Sequence, residues 1–176
     1  MMCGLKINRA VVITAISICC IAFLQKEIFA QEDNFIRPGI GVGKLKLGVS
    51  NEVINEIIKR KFDDIEEVGS EEDFEMWLSY KKMGLTLIYS KDKKLKRIIV
   101  INKALLVENT RVSVGSYVAD LRRYKKIFKD IDTKIKNTVK KKNTVPLDFE
   151  NLGIIFWISW NDQKIFAIEV KEKKLD

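Results

Sequence analysis

Tyr80-Lys81-Lys82-Met83-Gly84-Leu85-Thr86-Leu87 and Phe149-Glu150-Asn151-Leu152-Gly153-Ile154-Ile155-Phe156 state one pattern twice: an aromatic, three residues, a glycine, then an aliphatic run. Outward from these stretches the likeness continues. Leu47-Gly48-Val49-Ser50 and Val114-Gly115-Ser116 precede them, each followed by apolar residues at helical spacing; Leu95-x-x-Ile98-Ile99-Val100 and Ile165-x-x-Ile168-Glu169-Val170 come after. The intervals Gly48 to Gly84 and Gly115 to Gly153 are 36 and 38 residues long. This recurrence predicts an α+β fold of two tandem pseudo-repeats, each one helix packed on a two- to three-stranded antiparallel sheet. The units would run over residues 38–104 and 105–176, after a leader (1–30) and a linker (31–37).

The strands are read from period-two alternation. Phe74, Met76, Leu78 and Tyr80 alternate with Glu75, Trp77 and Ser79; Leu85, Leu87 and Tyr89 with Thr86, Ile88 and Ser90; Ile98 and Val100 with Arg97, Ile99 and Ile101. The second set is Val145, Leu147 and Phe149; Ile154, Phe156 and Ile158; and Ile165, Ile168 and Val170. Lys91 to Lys94 and Asn161 to Gln163 are the hairpin turns. Pro146 cannot donate to a ladder, which places its strand at a sheet edge. Ser50 and Ser116 are read as N-caps, the first helix turning Val53, Ile54, Ile57, Ile58 and Phe62 to one side and the second Val118, Leu121, Tyr124 and Phe128. Between helix and strands the units diverge into an acidic stretch, Asp63 to Asp73, and a lysine-rich one, Lys134 to Lys142, both read as loops.

The chain opens with Lys6 and Arg9, a mostly apolar run from Ala10 to Leu24, and Ile28-Phe29-Ala30. That is the layout of a secretory signal, and the run is short for a membrane span. The expectation is an exported protein, periplasmic or extracellular, cleaved after Ala30. Lipidation at Cys19 or Cys20, or an uncleaved leader, would attach it to a membrane instead. All three cysteines (Cys3, Cys19, Cys20) lie in this leader and the chain has no histidine. Disulfides, Cys/His zinc sites, thiol nucleophiles and Ser-His-Asp triads are thereby excluded from the exported part.

Pro38-Gly39-Ile40-Gly41-Val42-Gly43-Lys44 is not a nucleotide loop. That pattern needs glycine at Pro38 and Ser or Thr at Leu45. The dinucleotide fingerprint fails at Lys44, and a turn feeding a strand is expected. The acidic stretch lacks calcium-loop spacing. No cofactor, metal or catalytic residue is expected, and no enzyme.

Two surfaces remain as binding candidates. On the sheet face turned away from the helices fall Trp77, Ile88, Arg97 and Ile99 of the first unit and Ile155, Trp157, Ser159 and Glu169 of the second, with Trp160 beside the last turn. Trp77, Ile88, Arg97, Trp157 and Trp160 are the partner-binding candidates, because tryptophan with arginine is the composition of interface anchors. The alternative is that two sheets pack together and bury these rings as core. The second surface is basic: Arg122, Arg123, Lys125 and Lys126 on the second helix, with Lys140, Lys141 and Lys142. From Gln31 on, with Lys6, Arg9, Lys26 and Glu27 set aside, 29 Lys and Arg face 23 Asp and Glu. Such an excess favours anionic partners, a membrane surface included. Nucleic acid is not expected as a partner of an exported chain.

The run Pro38-Gly39-x-Gly41-x-Gly43-x-Leu45-x-Leu47-Gly48-x-Ser50-x-x-Val53, with Gly84-Leu85 and the Lys94-Leu95-x-x-Ile98 hairpin, resembles the short helix-plus-hairpin repeats of bacterial envelope proteins. These are similar to the beta-lactamase inhibitor protein fold and to the small lipoprotein of the outer-membrane barrel assembly machine. The resemblance implies a non-enzymatic α+β protein that binds another envelope or extracellular protein through its sheet or loops.

Overall fold

The computed structural model describes residues 34–70, 72–138 and 144–174. The leader with Cys19 and Cys20, and Lys140 to Lys142, lie outside the described residues. Strands dominate: β1 (Phe35–Arg37), β2 (Gly41–Val42), β3 (Leu45–Lys46), β4 (Asp64–Val68), β5 (Glu75–Tyr80), β6 (Leu85–Ser90), β7 (Leu95–Val100), β8 (Leu106–Val107), β9 (Thr144–Phe149), β10 (Ile154–Ser159) and β11 (Lys164–Lys171). Helices are short: α1 (Asn51–Ile58), α2 (Val118–Leu121) continued by a 3-10 turn (Arg122–Tyr124), and α3 (Ile131–Thr138).

These strands overturn the expectation of two tandem units, each with its own small sheet. The described strands form one seven-stranded sheet, ordered β4-β5-β6-β7-β11-β10-β9, and one four-stranded sheet, ordered β3-β2-β1-β8. The physical reason is the pairing of β7 with β11. Val100 lies opposite Ile168, Ile99 opposite Glu169, and Ile98 opposite Val170, all antiparallel. Strands that would have been the open edges of two sheets satisfy each other's backbone groups. The alternative of two sheets stacked face to face falls with the same observation.

One face of the large sheet carries the core. Leu78, Leu87, Ile98, Ile168, Phe156 and Leu147 from the sheet share a cluster with Ile54 of α1, Leu121 of α2 and Ile135 of α3. Ile36, Val42, Leu45 and Val107 of the small sheet join it, so helices and small sheet lie on the same side. Phe128 meets Phe149 and Phe156 with ring centroids 5.2 Å apart in each case, the latter edge to face.

The recurring sequence motif has the same local wiring at both places. Gly48 donates to Leu95 O (2.7 Å) while Leu95 donates to Val49 O (2.9 Å). Gly115 donates to Ile165 O (2.7 Å) while Ile165 donates to Ser116 O (2.9 Å). The glycines after Tyr80 and Phe149 both take the left-handed conformation, φ +64° at Gly84 and +71° at Gly153, closing the β5–β6 and β9–β10 hairpins.

Other expectations are corrected locally. Residues 35–37 of the supposed linker form β1, with Ile36 fully buried. The acidic stretch contains β4, wholly exposed and, among the described residues, paired to β5 alone. The lysine-rich stretch contains α3, whose Ile131 and Ile135 are buried one turn apart. Tyr117, not Ser116, stands at the N-cap of α2. Of the α1 stripe only Ile54 is buried; Val53, Ile57 and Phe62 are exposed. Pro146 sits in β9, an edge strand as read.

Candidate functional site

Three cross-strand rows build the second face of the large sheet. Trp77, Ile88, Arg97 and Lys171 lie side by side on β5, β6, β7 and β11. One pleat along come Ser79, Thr86, Ile99, Glu169, Ile155 and Asp148, and then Ala167, Trp157 and Pro146. Register shifts fall at Ile88/Tyr89 and at Trp157/Ile158, beside the two ends of this band. Such bulges re-aim neighbouring side chains and increase local twist.

A chain of polar contacts crosses the band. Glu169, 2% exposed, accepts from Arg97 Nη1 at 2.9 Å and from Trp157 Nε1 at 3.1 Å. Arg97 Nη2 donates to Glu75 Oε2 at 2.5 Å, the same oxygen that accepts from Trp77 Nε1 at 3.2 Å. Lys96 Nζ donates to Glu75 Oε1 at 3.0 Å. The Arg97 guanidinium also lies over the Trp77 ring, 5.8 Å from its centroid. Ile88, between them in register, is fully buried. Farther along, Lys171 Nζ donates to Asp148 Oδ2 at 2.6 Å.

The electrostatics are internally balanced: three carboxylates, Glu75, Glu169 and Asp148, meet three cations, Lys96, Arg97 and Lys171. Burial acts to raise the Glu75 carboxyl; the hydrogen bond from Lys96, the charge of Arg97 and the Trp77 N–H outweigh it, and its pKa lies below the ordinary glutamate value. A carboxyl held in its ionised form is poorly suited to give up a proton as a general acid near neutral pH. Both tryptophans are half-buried, with their N–H groups held by carboxylates and part of each ring at the surface. Such rings lose little further freedom when they meet a partner. Among the described residues no three carboxylates converge as a metal site would require.

Trp77, Ile88, Arg97 and Trp157 are therefore brought onto one face. Trp160 is not: it packs against the core on the other side, and its carbonyl accepts from Gln163 Nε2 at 2.8 Å. The residues that orient the rings, Glu75 and Glu169, were not picked out as site residues. The signal was present: each is an acid on a strand position facing the same way as its tryptophan.

The basic surface is largely paired. Arg122 Nε and Lys125 Nζ each reach Asp132 at 2.8 Å, and Arg123 reaches Asp120 at 3.6 Å. The hydrogen bond from Lys125, joined by that from Arg122, holds the Asp132 carboxyl below its ordinary range. Lys126 is exposed.

No family model matches the chain, and no curated protein matches it in sequence. Among solved structures it is similar to the 1.5 Å crystal structure of an extracellular protein containing an SCP domain from Bacillus anthracis str. Ames, at 9% identity and a TM-score of 0.44. The match covers 72% of this chain and 44% of that one, so this chain spans less than half of that protein's length.

Proposed function

We propose that this protein is an exported, non-enzymatic binding module of the cell envelope that grips another envelope or extracellular protein with the sheet face around Trp77, Arg97 and Trp157. The observation that carries this reading is the clamp at Arg97, which ties two half-buried tryptophans through Glu75 and Glu169 into a preorganised aromatic surface. Tryptophan and arginine are over-represented among interface hot spots. The leader supports export, by cleavage after Ala30 or with retention through Cys19 or Cys20.

The second reading, an adaptor for anionic membranes or polymers, draws on Arg122, Arg123, Lys125 and Lys126 together with Lys140 to Lys142. The ion pairs to Asp120 and Asp132 weaken it, because they already use three of those charges. Capture from envelope extract on the immobilised chain, washed first at low salt and then near 1 M, where the Debye length is about 3 Å, separates the two. A single protein retained at high salt by the wild type and lost with Trp157→Ala supports the aromatic face. Loss of all bound material at high salt refutes it in favour of the basic surface.

A further inference from the structure

The two edges of the seven-stranded sheet carry opposite charge. Along β4 all five residues are exposed, and no described strand pairs with its outer side. Asp63, Asp64, Glu66 and Glu67 line it, and Lys81 makes a 3.9 Å contact with Asp64. At the far end is β9, whose Thr144 and Pro146 are exposed. α3 packs beside it, with Lys134 5.3 Å above the Phe149 ring. From Val118 to Thr138 seven Lys and Arg stand against three Asp, whereas Asp63 to Asp73 contains seven acids and no base. The edges are six strand spacings apart, roughly 29 Å, so they cannot neutralise each other within one chain.

We propose that the acidic β4 edge of one molecule docks against the basic β9–α3 edge of a second copy, joining the sheets head to tail. Pairing like edges would oppose acids to acids or lysines to lysines, which disfavours the two-fold arrangement. A head-to-tail contact uses different surfaces on each partner and leaves a free edge of each sign at the ends, so it adds further copies unless it closes into a ring. Pro146 withholds one backbone donor from the β9 edge, so the ladder is incomplete and charge carries much of the attraction. The association is accordingly weak and sensitive to salt.

Sedimentation velocity of the full chain tests this, at about 10 mM and about 1 M salt and up to about 1 mM protein. Glu66→Lys/Glu67→Lys reverses two charges on the acidic edge, and Lys129→Glu/Lys136→Glu reverses two on the basic edge; all four side chains are exposed. The expected result is a species of about twice the monomer mass or more for the wild type at low salt. It should vanish at high salt and in each variant alone, and return when the two variants are mixed. Wild type that stays monomeric at low salt overturns the proposal. So does association that survives both charge reversals or high salt, and so does an equimolar mixture of variants that remains monomeric while circular dichroism shows both folded.

Discussion

Replacing Glu169 by alanine removes the acceptor shared by Arg97 and Trp157. The Glu169 side chain is 3% exposed and that of Arg97 25%, so the pair is mostly withdrawn from water. Removing one member of a buried pair costs about 3–5 kcal/mol, chiefly because the other charge is left uncompensated. Arg97 keeps Glu75 and the Trp77 ring, which brings the cost to the low end; the stranded Trp157 N–H adds about 1 kcal/mol. The expected loss is about 3 kcal/mol, or roughly 6–12 °C in Tm for a domain of this size. Calorimetry or urea denaturation followed by tryptophan fluorescence measures it. A companion variant, Arg97→Met/Glu169→Leu, removes both charges and should cost less than Glu169→Ala alone, since apolar replacement of a buried pair is often close to neutral. A loss below about 1 kcal/mol for Glu169→Ala, or a double variant less stable than the single, would refute the view that this carboxylate is a dry clamp.

Three further outcomes follow from named positions. Gly153→Ala should destabilise by more than about 2 kcal/mol, because a Cβ there would sit 2.4 Å from Lys171 O and 2.7 Å from Gly39 Cα at a positive φ; equilibrium denaturation showing wild-type stability would contradict this close approach. The hydroxyls of Tyr80 and Tyr89 have no hydrogen-bond partner among the described residues, and burial pushes the Tyr89 phenol upward, with Tyr80 and Glu52 adding to the shift. Tyr89→Phe should therefore be neutral or stabilising by up to about 1 kcal/mol; a clear loss in Tm would reveal a hydrogen bond to that oxygen. The folded Glu75 carboxyl titrates below its unfolded value of 4.5, so its stabilisation is complete above that pH and disappears as pH falls through the folded value. Glu75→Gln should flatten the acid limb of a Tm against pH curve, and an unchanged limb would count against the ionic link.

The individual strands were legible where they alternate, but their assembly into one seven-stranded sheet was not. β5, β6, β7, β9 and β10 coincide with period-two runs, β11 keeps the alternation only from Ile168 on, beyond its register shift against β10, and both hairpin glycines announce their turns. The short strands β1, β2 and β8 span two or three residues each, too few for a period to show. β4 escaped notice because every side chain on it is exposed and three of its five are acidic, so no apolar rhythm marks it. α3 was hidden beneath lysines, although Ile131 and Ile135 at i, i+4 gave a faint helical signal. The joining of β7 to β11 depends on residues some 70 positions apart, such as Ile98 and Val170, and no local pattern encodes that choice. At the site, alternation placed Trp77, Ile88, Arg97 and Trp157 on one face. Trp160 fell elsewhere because it lies beyond the end of β10, where strand alternation no longer applies.

The strand farthest along the chain among those described is not at a margin of the sheet; β11 lies between β7 and β10. Without residues 164–171 the large sheet falls into the four-stranded β4–β7 meander and the β9–β10 hairpin, with unpaired backbone groups on β7 and β10 where β11 belongs. A chain built this way keeps its large sheet incomplete until residues 164–171 are free to pair on both sides. It also makes this segment indispensable: a stop before Lys164 would remove the strand that joins the two parts of the large sheet.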